Sequence, residues 1–161
     1  MTSVAQSQDV QRAAVADVRA IHELVNGFAQ RGEMLPRTLP EIYEGLRDFS
    51  VLRDGNDVIA CGALHVMWED LAEVRSLAVR EDRQGQGLGA KLVRAHLDEA
   101  RQLGLTTVFA LTYRPAFFER LGFQQADVMT LPRKVWNECY RCPKFPTCNE
   151  IAVVLDLKAP S

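Results

Sequence analysis

Apolar residues recur at helical spacing in the first part of the chain, and later in alternating or continuous runs. Val18, Ile21, Leu24, Val25 and Phe28 predict an amphipathic helix, with Asp17 as its N-cap and Gly32 following its end. Thr38-Leu39-Pro40-Glu41 reads as a capping box with an early proline, opening a second helix through Ile42, Tyr43 and Leu46. Residues 10–13 form a short first strand in this reading. Residues 49–53 and 58–67 predict strands around Asp54-Gly55-Asn56-Asp57, a hairpin turn, and a strand over 72–79 follows a turn at 68–71. Leu92, Val93, Leu97, Ala100 and Leu103 then share one arc of a helix that runs on from Ala90 and stops at Gly104. Residues 106–112 are rich in β-formers, Pro115 starts a short helix ending at Leu121-Gly122, and Phe123 begins another extended run. After an irregular, Cys-rich stretch over 132–149, residues 151–157 predict a final strand. No repeat or long linker divides the chain. The expectation is a polar, flexible N-terminus over 1–9 and one α/β (α+β) domain over 10–158.

Gln84-Gly85-Gln86-Gly87-Leu88-Gly89 joins the strand over 72–79 to the helix after it. Glycines at such a turn permit positive φ and close approach of a ligand to the backbone. The unpaired N–H groups of the helix start then face the ligand, and the helix dipole favours an anion. The combination is a phosphate cradle.

Composition narrows the function classes. With 161 residues, 47% of them hydrophobic, the chain can bury one proper core. A formal net charge of −2 without any basic stripe argues against nucleic acid as a partner. The apolar runs are too short to span a membrane, and residues 1–9 carry no secretory signal, so a cytoplasmic protein with reduced thiols is expected.

The order strand, Gln84-x-x-Gly87-x-Gly89, helix, strand, short helix, Leu121-Gly122-Phe123 resembles the GCN5-related N-acetyltransferases, the GNAT family. The resemblance follows element order from Val10 to Asp127 and is motif-level from Glu73 to Phe123. It implies a GNAT fold: a mixed, mostly antiparallel sheet of six to seven strands flanked by helices, splayed after the fourth strand. It also implies acetyl-CoA as cosubstrate, its pyrophosphate held by the amides of Gln84, Gly85, Gln86, Gly87, Leu88, Gly89 and Ala90. Leu77, Ala78 and Val79 would offer backbone groups to the pantetheine and the thioester carbonyl, with Phe118 also on the coenzyme. Gly32-Glu33-Met34-Leu35-Pro36-Arg37, Cys61-Gly62-Ala63-Leu64, Glu73-Val74-Arg75-Ser76-Leu77-Ala78-Val79 and Leu111-Thr112-Tyr113-Arg114 resemble the N-acetylglutamate synthases, which begin arginine biosynthesis. The amino-acid-kinase domain fused to some of these is not in this sequence, so arginine feedback through it is not carried over. Members of the family often dimerise, which makes a homodimer an option.

Acetyl transfer to an amine needs a base for the ammonium proton, donors for the developing oxyanion and, in some enzymes, an acid for the thiolate. Glu73 precedes Gln84 by eleven residues, where some members of the family carry a general-base glutamate. Period-two alternation puts Glu73, Arg75 and Leu77 on one face, and a surface or ion-paired glutamate beside Arg75 is the competing reading. A backbone N–H of Leu77 or Ala78 suits the oxyanion. Many members place a tyrosine where this chain has Phe118 of the Phe117-Phe118 pair, so Tyr113 is the candidate substitute acid, or else a packing residue. For an acceptor with carboxylates, Arg37 before the second helix and Arg75 are the candidate partners, with Leu35 lining the same segment and Arg114 a third cation. Solvated or ion-paired arginines are the alternative.

His96 and His22 read as packed histidines on helices, and His65 has no evident partner in sequence. Cys139, Cys142 and Cys148 lack the second ligand half that zinc sites show, so structural cysteines are expected and no metal. The expected function is acetyl-CoA-dependent acetylation of the glutamate α-amino group. The alternatives are another small amine or amino acid such as glutamine, or a non-catalytic coenzyme-binding regulatory module.

Overall fold

The computed structural model describes residues 9–127 and 151–158. Residues 1–8 and the Cys-rich stretch with Cys139, Cys142 and Cys148 lie outside the described residues. The strands, in chain order, are β1 (Gln11–Arg12), β2 (Phe49–Asp54), β3 (Asp57–Trp68), β4 (Leu71–Val79), β5 (Thr107–Thr112), β6 (Gln124–Ala126) and β7 (Ile151–Asp156). The helices are α1 (Val18–Gln30), α2 (Leu39–Glu44), α3 (Leu88–Gln102) and α4 (Pro115–Glu119). Together the strands make a seven-stranded mixed sheet in the order β1-β2-β3-β4-β5-β7-β6, flanked by the helices. Contacts group into two compact units: residues up to 64 with 74–96, and residues 65–73 with those from 97 onward.

In the first unit β2 and β3 pair antiparallel from Phe49↔Ala63 to Asp54↔Asp57. Gly55 and Asn56 are left as the turn. Gly55 has φ of 63° while Asn56 stays at negative φ, as a type II′ hairpin requires. Helix α1 buries Val18, Ile21, Val25 and Phe28, and Leu24 is partly buried beside them. They pack with Ile42 of α2 and with Val51, Cys61, Ala63 and Ala78 of the sheet. Leu52, Ala60, Leu77 and Val79 pack instead with Leu88 and Leu92 of α3. The period-two reading of the strands therefore separates an α1 face from an α3 face.

In the second unit the start of β4 runs parallel to β5, from Leu71↔Thr107 to Glu73↔Phe109. That register ends at Glu73 although β4 continues to Val79, so the later backbone of β4 stands outside this ladder. β7 pairs antiparallel with β5 from Thr107↔Asp156 to Thr112↔Ile151, and β6 pairs with the other side of β7. The last strand in sequence is thus inserted between β5 and β6. Leu71 and Phe109 centre this unit's core, with Phe117, Phe118 and Phe123 meeting edge to face at 5.0 and 5.2 Å.

Three local expectations are corrected. Asp17 stands at the N-cap of α1 as expected but makes no side-chain cap bond there: its carboxylate accepts from the Ala14 N–H at 2.7 Å and pairs with Arg53, closing the 3-10 turn Val15–Asp17. Helix α3 starts at Leu88, inside the glycine run rather than at Ala90. Leu103 lies beyond the end of α3 and is 56% exposed, because Gly104 turns the chain there with φ of 84°.

Candidate active site

The glycine loop is pinned at both ends. The Arg80 N–H donates to the Ile59 carbonyl at 2.8 Å, and the Gln84 side chain donates to the Val79 carbonyl at 3.0 Å. Gln84 therefore closes the strand end with its side-chain amide, while its own backbone N–H donates to the Glu81 carbonyl at 3.4 Å. Gly85 and Gly87 have φ of 83° and 79°, and a Cβ on either would meet nothing within 4 Å. Conformation, not crowding, demands glycine here. The Lys91 N–H donates to the Gly87 carbonyl at 3.1 Å, which makes Gly87 the residue from which α3 grows. The amides of Leu88, Gly89 and Ala90 are then first-turn donors without intrahelical acceptors, at the positive end of a 15-residue helix. The Leu88 side chain is buried in the core, so its contribution is the amide alone.

Upstream, Ser76 has φ of 55°, the sole positive φ at a non-glycine among the described residues. A left-handed L-residue costs about 1–2 kcal/mol, so packing must enforce it. Positive φ inside a strand interrupts the alternation of faces. Past Ser76, Leu77 packs in the α3 cluster and Ala78 in the α1 cluster. Leu77 lies against Gly62 and His96, where a Cβ on Gly62 would come within 3.1 Å of the Leu77 Cδ1 and 3.3 Å of the His96 Nε2. His96 is fully buried, as expected of a packed histidine. Glu73 is buried at 6% exposure, so the surface-glutamate reading does not hold.

Arg37 is half-buried with its Nε shielded from water, which removes the reading of a fully solvated arginine. Asn26 of α1 fixes its backbone, donating to the Arg37 carbonyl at 2.8 Å and accepting from the Arg37 N–H at 3.1 Å. The same Asn26 amide also donates to the His22 carbonyl at 2.9 Å. The capping box at Thr38 forms, the Glu41 N–H donating to the Thr38 hydroxyl at 3.2 Å and the Thr38 N–H to the Glu41 carboxylate at 2.9 Å. Glu41 thus places its own carboxylate at the start of α2. Leu35 and Arg75 are half-buried in the same unit.

Glu73, Tyr113, Arg114 and Phe118 belong to the second unit. Tyr113 follows β5 and is half-buried. Arg114 is exposed at the N-cap of α4, its N–H donating to the Thr112 hydroxyl at 2.8 Å. The Phe118 ring is buried at 5% exposure in its aromatic trio, while Phe117 is the more open of the pair. Among the described residues no group of three His, Cys, Asp or Glu side chains is arranged to hold a metal.

A groove of about 400 Å³ separates Glu23, Gly27 and Arg31 of α1 from Arg80, Glu81 and Asp82. Arg31 pairs with Glu81 at 3.1 Å and Arg80 with Asp82 at 2.6 Å along it, so salt bridges take up both arginines of the groove. Sequence reasoning missed Asn26 as a support for Arg37. An asparagine inside an amphipathic helix was the available signal, since such a residue often bonds backbone elsewhere.

The sequence profile of the acetyltransferase (GNAT) family matches residues 18–123. An uncharacterised N-acetyltransferase of Chlorobaculum tepidum is 38% identical over 92% of this chain and 96% of its own length. An amino-acid acetyltransferase of Mycobacterium tuberculosis is 38% identical over 82% of this chain and 77% of its own. Among solved structures, a Mycobacterium tuberculosis protein in complex with CoA superposes with a TM-score of 0.79 at 32% identity, over 91% of this chain and 98% of that one. N-acetylglutamate synthase of Neisseria gonorrhoeae, complexed with coenzyme A and N-acetyl-glutamate, superposes with a TM-score of 0.85 at 25% identity. That match covers 94% of this chain and 35% of the synthase.

Proposed function

The chain belongs to the acetyltransferase (GNAT) family and takes its acetyl group from acetyl-CoA, and on that footing we propose that the acceptor is the α-amino group of L-glutamate. The observation that carries this reading is Arg37, a half-buried guanidinium whose backbone is clamped by Asn26. A fixed arginine is suited to a carboxylate, and a second carboxylate falls to Arg75. The names of the mycobacterial relative and the gonococcal synthase support an amino-acid acceptor. In this reading the protein is a cytoplasmic N-acetylglutamate synthase at the start of arginine biosynthesis.

The chemistry follows from the residues. The amides of the loop over 84–90 hold the coenzyme pyrophosphate, and the backbone of Leu77, Ala78 and Val79 holds the pantetheine and thioester. Buried Glu73 accepts the proton of the α-ammonium group, directly or through water. The free amine attacks the thioester carbon and forms the N–C bond, and a backbone N–H of β4 stabilises the oxyanion. Collapse re-forms the carbonyl as the C–S bond breaks, the remaining extra proton on nitrogen passing to solvent. Coenzyme A leaves as a thiolate stable enough to need no acid, with the Tyr113 hydroxyl the group that would supply a proton. Phe118 lines the coenzyme side, and Arg114 is the reserve cation for substrate. The test is to incubate the protein with acetyl-CoA and glutamate and identify the product by mass. N-acetylglutamate is expected. Intact glutamate beside an acetylated amine of another class would refute the assignment.

A further inference from the structure

Cys61 sits on β3, fully buried in the cluster that packs under α1. Its Sγ lies 3.6 Å from the carbonyl oxygen of Ser76, to which the thiol donates. The backbone N–H of Ala78 faces the same sulfur and opposes the upward shift of its thiol. One thiol therefore bridges the two backbone groups that flank Leu77, across the left-handed Ser76. A break in strand alternation takes backbone groups out of the regular ladder, and buried N–H and C=O groups must be satisfied elsewhere. A thiol can donate and accept at once while remaining apolar enough to bury completely. On the opposite face Gly62, the next residue of β3, leaves room for the Leu77 side chain. Adjacent residues of β3 thus hold the irregular turn of β4 from both faces.

We propose that Cys61 is a positioning residue for acetyl transfer, clipping the Ser76 carbonyl and the Ala78 amide so that the intervening Leu77 amide keeps a fixed aim at the thioester oxygen. This rests on the reading that β4 amides bind the thioester carbonyl.

A cysteine that merely fills the core and one that clips the backbone predict opposite orders of substitution. For a core filler, Cys61→Val is tolerated and Cys61→Ser, which buries a hydroxyl, is the worse change. For a clip, serine keeps both hydrogen bonds and valine keeps neither. The experiment measures thiol-release kinetics and calorimetric binding of acetyl-CoA and CoA for both variants, each alone and combined with Ser76→Gly. Valine should lower kcat about tenfold with little change in KM, short of the ~10²-fold loss seen when an oxyanion donor is deleted. Serine should retain more of kcat than valine. Ser76→Gly, which makes positive φ cheap, should restore part of the loss in the valine variant, a non-additive result. Valine kcat at the wild-type level, serine below valine, or strict additivity with Ser76→Gly would each overturn the clip. Should the valine variant fail to fold, Cys61→Ala enters the same cycle. If no acceptor turns over, the acceptor assignment fails separately, and the clip is read from binding. Wild type and serine should then prefer acetyl-CoA over CoA and valine should not, whereas an equal preference in all three overturns it.

Discussion

Asn26 holds Arg37 by both of its backbone groups, at 2.8 Å to the carbonyl and 3.1 Å to the N–H. The contact joins α1 to the segment before α2 and fixes the backbone that carries the Arg37 side chain. Asn26→Ala removes both bonds and should raise KM for the amino-acid acceptor about tenfold, since each net hydrogen bond contributes about 0.5–1.5 kcal/mol. Steady-state kinetics should find kcat and the KM for acetyl-CoA little changed. A matching rise in both Michaelis constants would mean that the pair supports the fold at large.

Gly87 needs its positive φ, and nothing crowds it. Gly87→Ala should therefore cost about 1–2 kcal/mol of local strain and weaken acetyl-CoA binding through a misplaced first turn of α3. Gly87→Asn should be milder, because asparagine tolerates the left-handed region. Calorimetric titration with acetyl-CoA measures both, and equal affinities for the two variants would argue that shape at that position does not matter.

Burial pushes the Cys61 thiol up to about 12 from an ordinary 9.0, with the Ala78 N–H opposing. The folded state holds this proton more tightly than the unfolded chain does. The resulting stability is complete below 9.0 and is lost as pH rises toward about 12. The loss approaches about 1.4 kcal/mol per pH unit within that window. Urea unfolding of wild type and Cys61→Val should thus differ by a constant amount near neutrality and converge toward valine's advantage above the ordinary thiol value. A pH-independent difference would contradict a neutral, buried thiol.

Much of the framework was legible in sequence because its signals are local. The capping box at Thr38, the hairpin at Gly55 and the helix stop at Gly104 each depend on a few neighbouring residues. What escaped was non-local. The insertion of β7 between β5 and β6 depends on pairing between distant segments, which periodicity does not encode. Ser76 carries no signature of positive φ, so β4 read as a regular strand. Cys61 and Gly62 stood out as a family-like segment, but only the contacts with Ser76 and Leu77 give them a physical role. The glycine turn was readable because glycine spacing and helix start coincide there. The support of Arg37 was not, since Asn26 and Arg37 are eleven residues apart and meet through tertiary contact.

Glu73 is buried on β4, and its proposed task is to take the ammonium proton. Glu73→Gln preserves shape and removes the base, so kcat should fall by about 10²–10⁴. Acetyl-CoA affinity should be retained by calorimetry. A kcat near the wild-type value would exclude Glu73 as the base.

The central claim is the acceptor, and the most direct measurement is kcat/KM across a panel of amines by release of coenzyme A thiol. Glutamate, glutamine, other amino acids and polyamines are offered in turn at fixed acetyl-CoA. The account predicts that glutamate has the highest kcat/KM, and that Arg37→Ala lowers it through KM. Turnover of polyamines in preference to glutamate, or none with any amino acid despite tight binding of acetyl-CoA, would contradict it.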